Sequence, residues 1–254
     1  MSVGAYFSGK RIWIIGASAG IGAELARALA RQGAELVLSA RSREALTALA
    51  DELRAATPDV SVRVEPLDLA DRASLAGVVD RLAHAAPFDA VICTAALYDP
   101  ARVADLDPKK VDAMVRVNLL GTLDVARLCP PRIIDGGQLV LFGSVAGYFG
   151  LPGGQPYSAT KAAINNLAET LAAELAPRLR VRLVCPGFVR TRLTEKNDFH
   201  MPAAISPEEA AEAVLRGLQK RGFEIHFPRR FTYIIKLLRA LPYAISLRLT
   251  RRIG

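Results

Sequence analysis

Short apolar runs alternate along this chain with longer stretches in which apolar residues recur every three or four positions. Ile12-Trp13-Ile14-Ile15 and Leu139-Val140-Leu141-Phe142 are apolar at every position, as in strands covered on both faces. The pattern predicts strands near 11–15, 35–39, 61–66, 90–94, 137–142, 181–185 and 224–227. It predicts helices near 20–32, 43–56, 72–85, 108–128, 157–175 and 207–221. Two helix starts are legible: Ser206-Pro207 with Glu209 spells a capping box, and Asp107-Pro108 a cap followed by proline at the first helical position. Strict strand–helix alternation implies one doubly wound α/β domain with a parallel sheet over residues 1–227. Residues 228–254 read as a C-terminal basic amphipathic helical appendage. Phe231, Ile234, Ile235, Leu238 and Leu241 share one side, and Arg229, Lys236 and Arg239 gather on the other. Pro242 interrupts the run before Ile245 and Leu249 begin a second stripe.

The net charge of +8 suggests a polyanionic partner until its distribution is read. Seven of the 33 Lys and Arg lie in residues 225–254, which hold no acid; the remainder sets 26 bases against 25 acids. The basicity belongs to the tail, so no nucleic-acid partner is expected of the domain. Cys93, Cys129 and Cys185 are widely spaced, which predicts small buried side chains in a reduced, cytoplasmic setting. His84, His200 and His226 show no ligand spacing, and no metal is expected. Lys10-Arg11 ahead of an apolar run imitates a secretory leader, but the run ends at Gly16, and Glu24 and Arg27 follow.

The first predicted strand runs into Gly16-Ala17-Ser18-Ala19-Gly20-Ile21-Gly22, which opens the first helix. Glycines there permit a tight turn and let a pyrophosphate approach the free N–H groups of the helix start. After the second strand a carboxylate would hold a ribose 2′-hydroxyl; this chain presents Arg41, with Arg43 beyond. A guanidinium suits a 2′-phosphate, which points to NADP(H). Asp68, after the third strand, is placed to accept a hydrogen bond from an adenine amino group.

Tyr157 and Lys161 are four residues apart and share a helix face. Unit charges ~4 Å apart interact by roughly 4 kcal/mol at an effective dielectric of about 20, enough to draw a phenol from about 10 toward neutrality. Such a phenol exchanges protons with a carbonyl or alcohol. Ser144 follows the fifth strand, at the edge where open α/β sheets bind ligands. Asn118 is a polar residue in an apolar helix and needs a partner. Ser158-x-x-Lys161 also fits a serine acyl-transfer pattern, but the S-D-N and K-T-G strings that accompany it are absent.

Over about residues 10–227 the chain resembles the short-chain dehydrogenase/reductase family. The resemblance rests on the glycine pattern at 16–22, Asp68, Asn118, Ser144 with Tyr157-x-x-x-Lys161, and Pro186-Gly187-Phe188-Val189-Arg190-Thr191. It implies a Rossmann-type domain that interconverts a carbonyl and a secondary alcohol. Tyr157 would be the acid/base, Ser144 would hold the substrate oxygen, Lys161 would bind the nicotinamide ribose and lower the tyrosine's pKa, and Asn118 would hold a water in a proton relay. Gly16, Ser18, Gly20, Ile21, Gly22, Arg41, Asp68, Leu69, Ala95, Val189 and Thr191 would contact the cofactor, together with Tyr157 and Lys161. A homo-dimer or homo-tetramer is implied too. A non-catalytic NADP(H)-binding sensor on the same fold is the alternative; it would be expected to lose part of the Asn/Ser/Tyr/Lys set, which here is whole.

Two positions depart from the family. Ile15 stands where threonine is usual before the first glycine, and Cys93-Thr94-Ala95-Ala96 stands for Asn-Asn-Ala-Gly. The expectation is that the changes compensate, an apolar contact replacing a polar one. For the tail, an interfacial helix on an anionic membrane surface is the leading expectation, ahead of a cover over the substrate pocket or a subunit interface. Tyr98 and residues 192–206 are expected to shape the pocket, and the greasy tail favours a hydrophobic or lipid-like substrate.

Overall fold

A computed structural model describes residues 6–196 and 201–251 of the chain. Seven parallel strands form one sheet: β1 (Arg11–Ile15), β2 (Glu35–Ser39), β3 (Val62–Val64), β4 (Phe88–Cys93), β5 (Ile133–Phe142), β6 (Arg180–Pro186) and β7 (Glu224–Phe227). Their order is β3-β2-β1-β4-β5-β6-β7. The chain thus leaves the edge after β3 and restarts beside β1, opening a crevice at the carboxyl ends of β1 and β4. The helices are α1 (Gly20–Ala30), α2 (Arg43–Ala56), α3 (Arg72–Arg81), α4 (Pro108–Met114), α5 (Thr122–Leu128), α6 (Tyr157–Glu174), α7 (Pro207–Leu218), α8 (Arg229–Ala240) and α9 (Tyr243–Thr250).

Alternation within β1 divides the core. Ile12 and Ile14 join α1, α2 and α7 on one face, while Trp13 and Ile15 join α3, α5 and α6 on the other. Trp13 donates through Nε1 to Ser39 Oγ at 2.9 Å, and Ser39 donates to Glu65 O at 2.6 Å, a polar thread from β1 across β2 to the end of β3. Arg182 in β6 is 2% exposed, and its guanidinium donates to the carbonyls of Gly217 (2.8 Å) and Lys220 (2.7 Å) at the end of α7. That cation satisfies orphan carbonyls at the negative end of the helix.

Several elements differ from their sequence patterns; α3 ends at Arg81 rather than near residue 85, and α7 at Leu218 rather than near 221. β5 begins four residues early because Ile133 pairs with Phe88 before a register shift. Gly136, at φ +77°, and Gly137 lie within this irregular part. β3 is an edge strand and ends at Val64, where Glu65 turns to Arg63 and Arg81. The helix over 108–128 is continuous in space, but its middle, Val115–Gly121, is wound as a π-helix centred on Asn118.

Candidate active site

The carboxyl ends of β1, β2, β4, β5 and β6 open into one cleft of about 1760 Å³, room for a dinucleotide and a substrate together. Its floor is the glycine turn. Gly16 has φ +99°, and a Cβ there would lie 2.5 Å from Ala95 N. Any side chain at Gly22 would overlap Gly16 O, so these glycines let the turn close on itself and on the strand beside it. α1 then starts at Gly20, with Ala19 as its cap residue, which has no polar side chain to offer the first-turn N–H groups. Ser18, Ala19, Gly20 and Ile21 all face the cleft. An uncapped helix start at the floor of a cleft fits the pyrophosphate of a dinucleotide.

The departures at Ile15 and Cys93-Thr94 are accommodated in another way than the sequence suggested. Ile15 and Cys93 pair in register and are buried together, as an apolar exchange requires. A polar contact nevertheless persists, because Thr94 Oγ1 donates to the carbonyls of Ile15 (3.1 Å) and Gly16 (3.0 Å). The hydroxyl has moved from the turn to the facing strand.

Arg41 is exposed at the lip of the cleft after β2, and Ser42 beside it also lines the cleft while its Oγ accepts from Ala45 N to cap α2. Arg43 begins α2 and does not line the cleft. Asp68 and Leu69 line it; one Asp68 oxygen accepts from Ala70 N at 2.9 Å, which fixes the carboxylate. Ala95 lies against Gly16. From the far side, Val189 is anchored in the bridge to Ile205, and the Thr191 methyl would be 3.3 Å from a Cβ at Gly20. The loop after β6 thereby reaches across the crevice to α1. Within residues 192–206, Arg192, Leu193, Thr194 and Pro202 line the cleft; 197–200 lie outside the described residues, as does Arg252 of the tail.

Ser144, Tyr157 and Lys161 converge where β5 ends. The loop carrying Ser144 presses on α6 through Gly147, where a Cβ would lie 2.6 Å from the Lys161 carbonyl carbon. Ser144 Oγ accepts from Ala146 N at 3.1 Å and donates to Pro186 O at 3.5 Å, with the Tyr157 phenol beside it. Burial drives the Tyr157 pKa well above the usual phenol value, and the neighbouring Ser144 hydroxyl opposes this. Tyr98 packs edge-on against the Tyr157 ring with centroids 4.7 Å apart. Lys161 is 3% exposed and donates through Nζ to Phe142 O at 2.7 Å; burial lowers its pKa to about 8. Its ammonium lies 5.5 Å from the Tyr157 ring centroid. The near-neutral phenol expected from the spacing is not what this cleft favours: burial holds the Tyr157 pKa above the usual phenol value, so the tyrosine stands as a protonated acid.

Asn118 finds the partners that a polar residue in an apolar helix needs. Its Oδ1 accepts from Leu97 N (2.7 Å), and its Nδ2 donates to Leu97 O (2.9 Å) and Thr160 Oγ1 (3.2 Å). Thr160 in turn donates to Tyr157 O at 2.7 Å. The side chain thereby ties the loop after β4 to the first turn of α6. It does not line the cleft.

The outer wall matches the second of the expectations for the tail, a cover over the substrate pocket. Phe149, Leu151 and Phe188 contribute to it, and α8 supplies Phe231, Ile234, Ile235, Leu237 and Leu238. Phe231 stacks on Phe188 with centroids 5.5 Å apart, and Arg239 donates to Tyr148 O at 2.6 Å. The helical stripe in the tail was the available signal, and both its pocket-cover and its membrane readings used the same residues.

A cleft at the switch point of a doubly wound sheet, floored by a glycine turn and containing a Ser/Tyr/Lys cluster, defines a dinucleotide-dependent oxidoreductase. A family model for short chain dehydrogenases matches residues 10–201, and the chain belongs to that family. It is 31% identical over 245 residues to an uncharacterized oxidoreductase of Myxococcus xanthus, covering 94% of this chain and 95% of the relative. A short-chain dehydrogenase from Sphingobium yanoikuyae in complex with NADPH superposes with a TM-score of 0.80 at 29% identity, covering 91% of this chain and 94% of that one. A dehydrogenase from Burkholderia phymatum in complex with NAD shares the fold at 22% identity, with a TM-score of 0.83 over 92% and 94% of the two chains.

Proposed function

We propose that this protein is an NADPH-dependent reductase of an apolar ketone or aldehyde, working reversibly on the corresponding alcohol. The observation that carries the reading is the convergence of Ser144, Tyr157 and Lys161 beside the uncapped start of α1 in one cleft. NADPH, once bound, supplies the hydride. Ser144 and the Tyr157 hydroxyl hold and polarise the substrate oxygen, and Tyr157 gives it a proton. Lys161 brings positive charge against the phenolate that develops, and Asn118 acts through position by fixing Leu97 and Thr160 around the tyrosine. Glycines 16, 20 and 22 with Ser18 and Ile21 seat the pyrophosphate, Asp68 and Leu69 the adenine, and Ala95, Val189 and Thr191 the nicotinamide half. Arg41 at the lip favours a 2′-phosphate.

Residues 1–227 form the catalytic domain in this reading, and α8 completes its substrate end. The wall contributed by Phe149, Phe188, Phe231 and Ile235 argues for a hydrophobic substrate. A homo-dimer or homo-tetramer in the cytoplasm belongs to the same proposal; light scattering reads the former. The test is a panel of ketones and alcohols followed at the nicotinamide absorbance with both cofactors. Parent turnover is expected, and Tyr157→Phe should lower it by at least about a hundredfold while NADPH affinity holds. Unchanged turnover in the variant removes the tyrosine from the chemistry. Tight NADPH binding with no turnover across the panel establishes the sensor instead.

A further inference from the structure

The last helix is inside out. α9 buries Ser246 and Thr250, while Tyr243 (75%), Ile245 (49%), Leu247 (47%) and Leu249 (44%) are exposed. On α8, Tyr233, Ile234 and Leu237 are exposed as well. Seven of the eleven large apolar side chains exposed among the described residues thus fall within 233–249. Scattered singly such residues mean little, but gathered on two consecutive helices they mark a surface that meets an apolar phase.

The charge around this patch identifies that phase. Lys236 pairs with Glu224 and Arg239 is engaged by Tyr148 O, whereas Arg229, Arg230, Arg248 and Arg251 are exposed and form no ion pair among the described residues. Two of these arginines open α8, the positive end of a helix, where an acid would be the stabilising choice. A second copy of the chain would bring an acid-free, cationic face against itself in a two-fold interface. Anionic lipid headgroups complement it, with apolar side chains entering the boundary between headgroups and acyl chains.

The patch is also the mouth of the cleft. Ile234, Leu237 and Leu249 are exposed and line the cleft at once. We propose that α8 and α9 dock the protein on an anionic bilayer with the cleft mouth facing the hydrocarbon, so that a membrane-dissolved carbonyl substrate loads from the bilayer. The loading half rests on the reductase reading; the docking half does not.

The test uses the full chain and sucrose-loaded vesicles of phosphatidylcholine alone or mixed with phosphatidylglycerol, pelleted over a range of salt. Binding to the mixed vesicles, weakened by salt and absent from neutral ones, is expected. Ile245→Glu/Leu247→Glu, at two positions that do not line the cleft, should lower the partition coefficient by at least about tenfold. Arg229→Gln/Arg230→Gln should flatten the salt dependence. Unchanged melting by circular dichroism certifies the fold of each variant, and the arginine pair remains the probe if the glutamate pair does not fold. With a long-chain ketone carried in vesicles the glutamate variant should lose turnover, and with a short water-soluble ketone it should keep it. Failure of the parent to pellet with anionic vesicles, or equal binding by parent and variants, overturns the docking, and an oligomer that dissociates in the glutamate variant gives the surface to a second copy instead. Vesicle binding without turnover on either ketone refutes the reductase and its loading route while the docking stands.

Discussion

Lys161 decides how the site responds to pH. Burial takes its pKa from 10.5 to about 8, so below pH 8 the folded protein holds a charged, desolvated ammonium. Between 8 and 10.5 the unfolded chain keeps a proton that the folded one has lost, and this group's contribution to stability rises with pH. Activity runs the other way. Tyr157 stays protonated across this range because burial raises its pKa, but the charge that favours its developing phenolate disappears. We expect kcat/KM for ketone reduction to fall tenfold per pH unit above about 8, measured with NADPH under stable conditions; a level profile to pH 10 would remove Lys161 from the proton path. At the other end of the cleft, Arg41→Asp should reverse cofactor choice by more than about tenfold in the KM ratio of NADPH to NADH. No change in that ratio frees Arg41 from the assignment. Both residues were legible as types at their positions. The direction of the Tyr157 shift was not, because a one-dimensional spacing contains the attraction of Lys161 but not the loss of water around both groups.

At the scale of elements, the strands announced themselves through runs such as Leu139–Phe142, and α7 through its capping box, which forms with both bonds in place. The π-wound segment at 115–121 did not, since seven residues are too few to display a period distinct from that of the helices on either side. Nor did the inversion of α9, where small hydroxyl residues rather than leucines face the protein. Two contacts between elements carry measurable weight. Arg182→Met should cost about 2 kcal/mol in urea denaturation, because it strands the carbonyls at the end of α7. A stabilised variant would show that burying the cation costs more than those bonds return. Gly147→Ala should push the Ser144 loop off α6 and lower kcat by about a hundredfold with little change in NADPH affinity; equal kcat would mean the loop adjusts without moving Ser144.

For the whole molecule the question is where the catalytic unit ends. A chain stopped after Pro228 would lose Thr232, Ile235 and Leu238 from the interior, the ring stack on Phe188, and one wall of the cleft. Calorimetry should show its melting temperature lowered by about 4 °C or more. An unchanged melt would make the last two helices a separate attachment. The sequence distinguished this tail by its lack of acids, yet could not show that one helix serves inward and outward surfaces together. Ile235 and Leu238 point in while Ile234 and Leu237, their immediate neighbours, point out.

The single tryptophan gives the molecule an optical gauge of its own. Trp13 is wholly buried, hydrogen-bonded across the sheet, and two residues before Ile15, which lines the cleft. Along a strand that is about 7 Å, well inside the range for energy transfer to a reduced nicotinamide. Indole emission quenched in step with added NADPH, and restored by the oxidised form, would report cofactor occupancy without a label or a substrate.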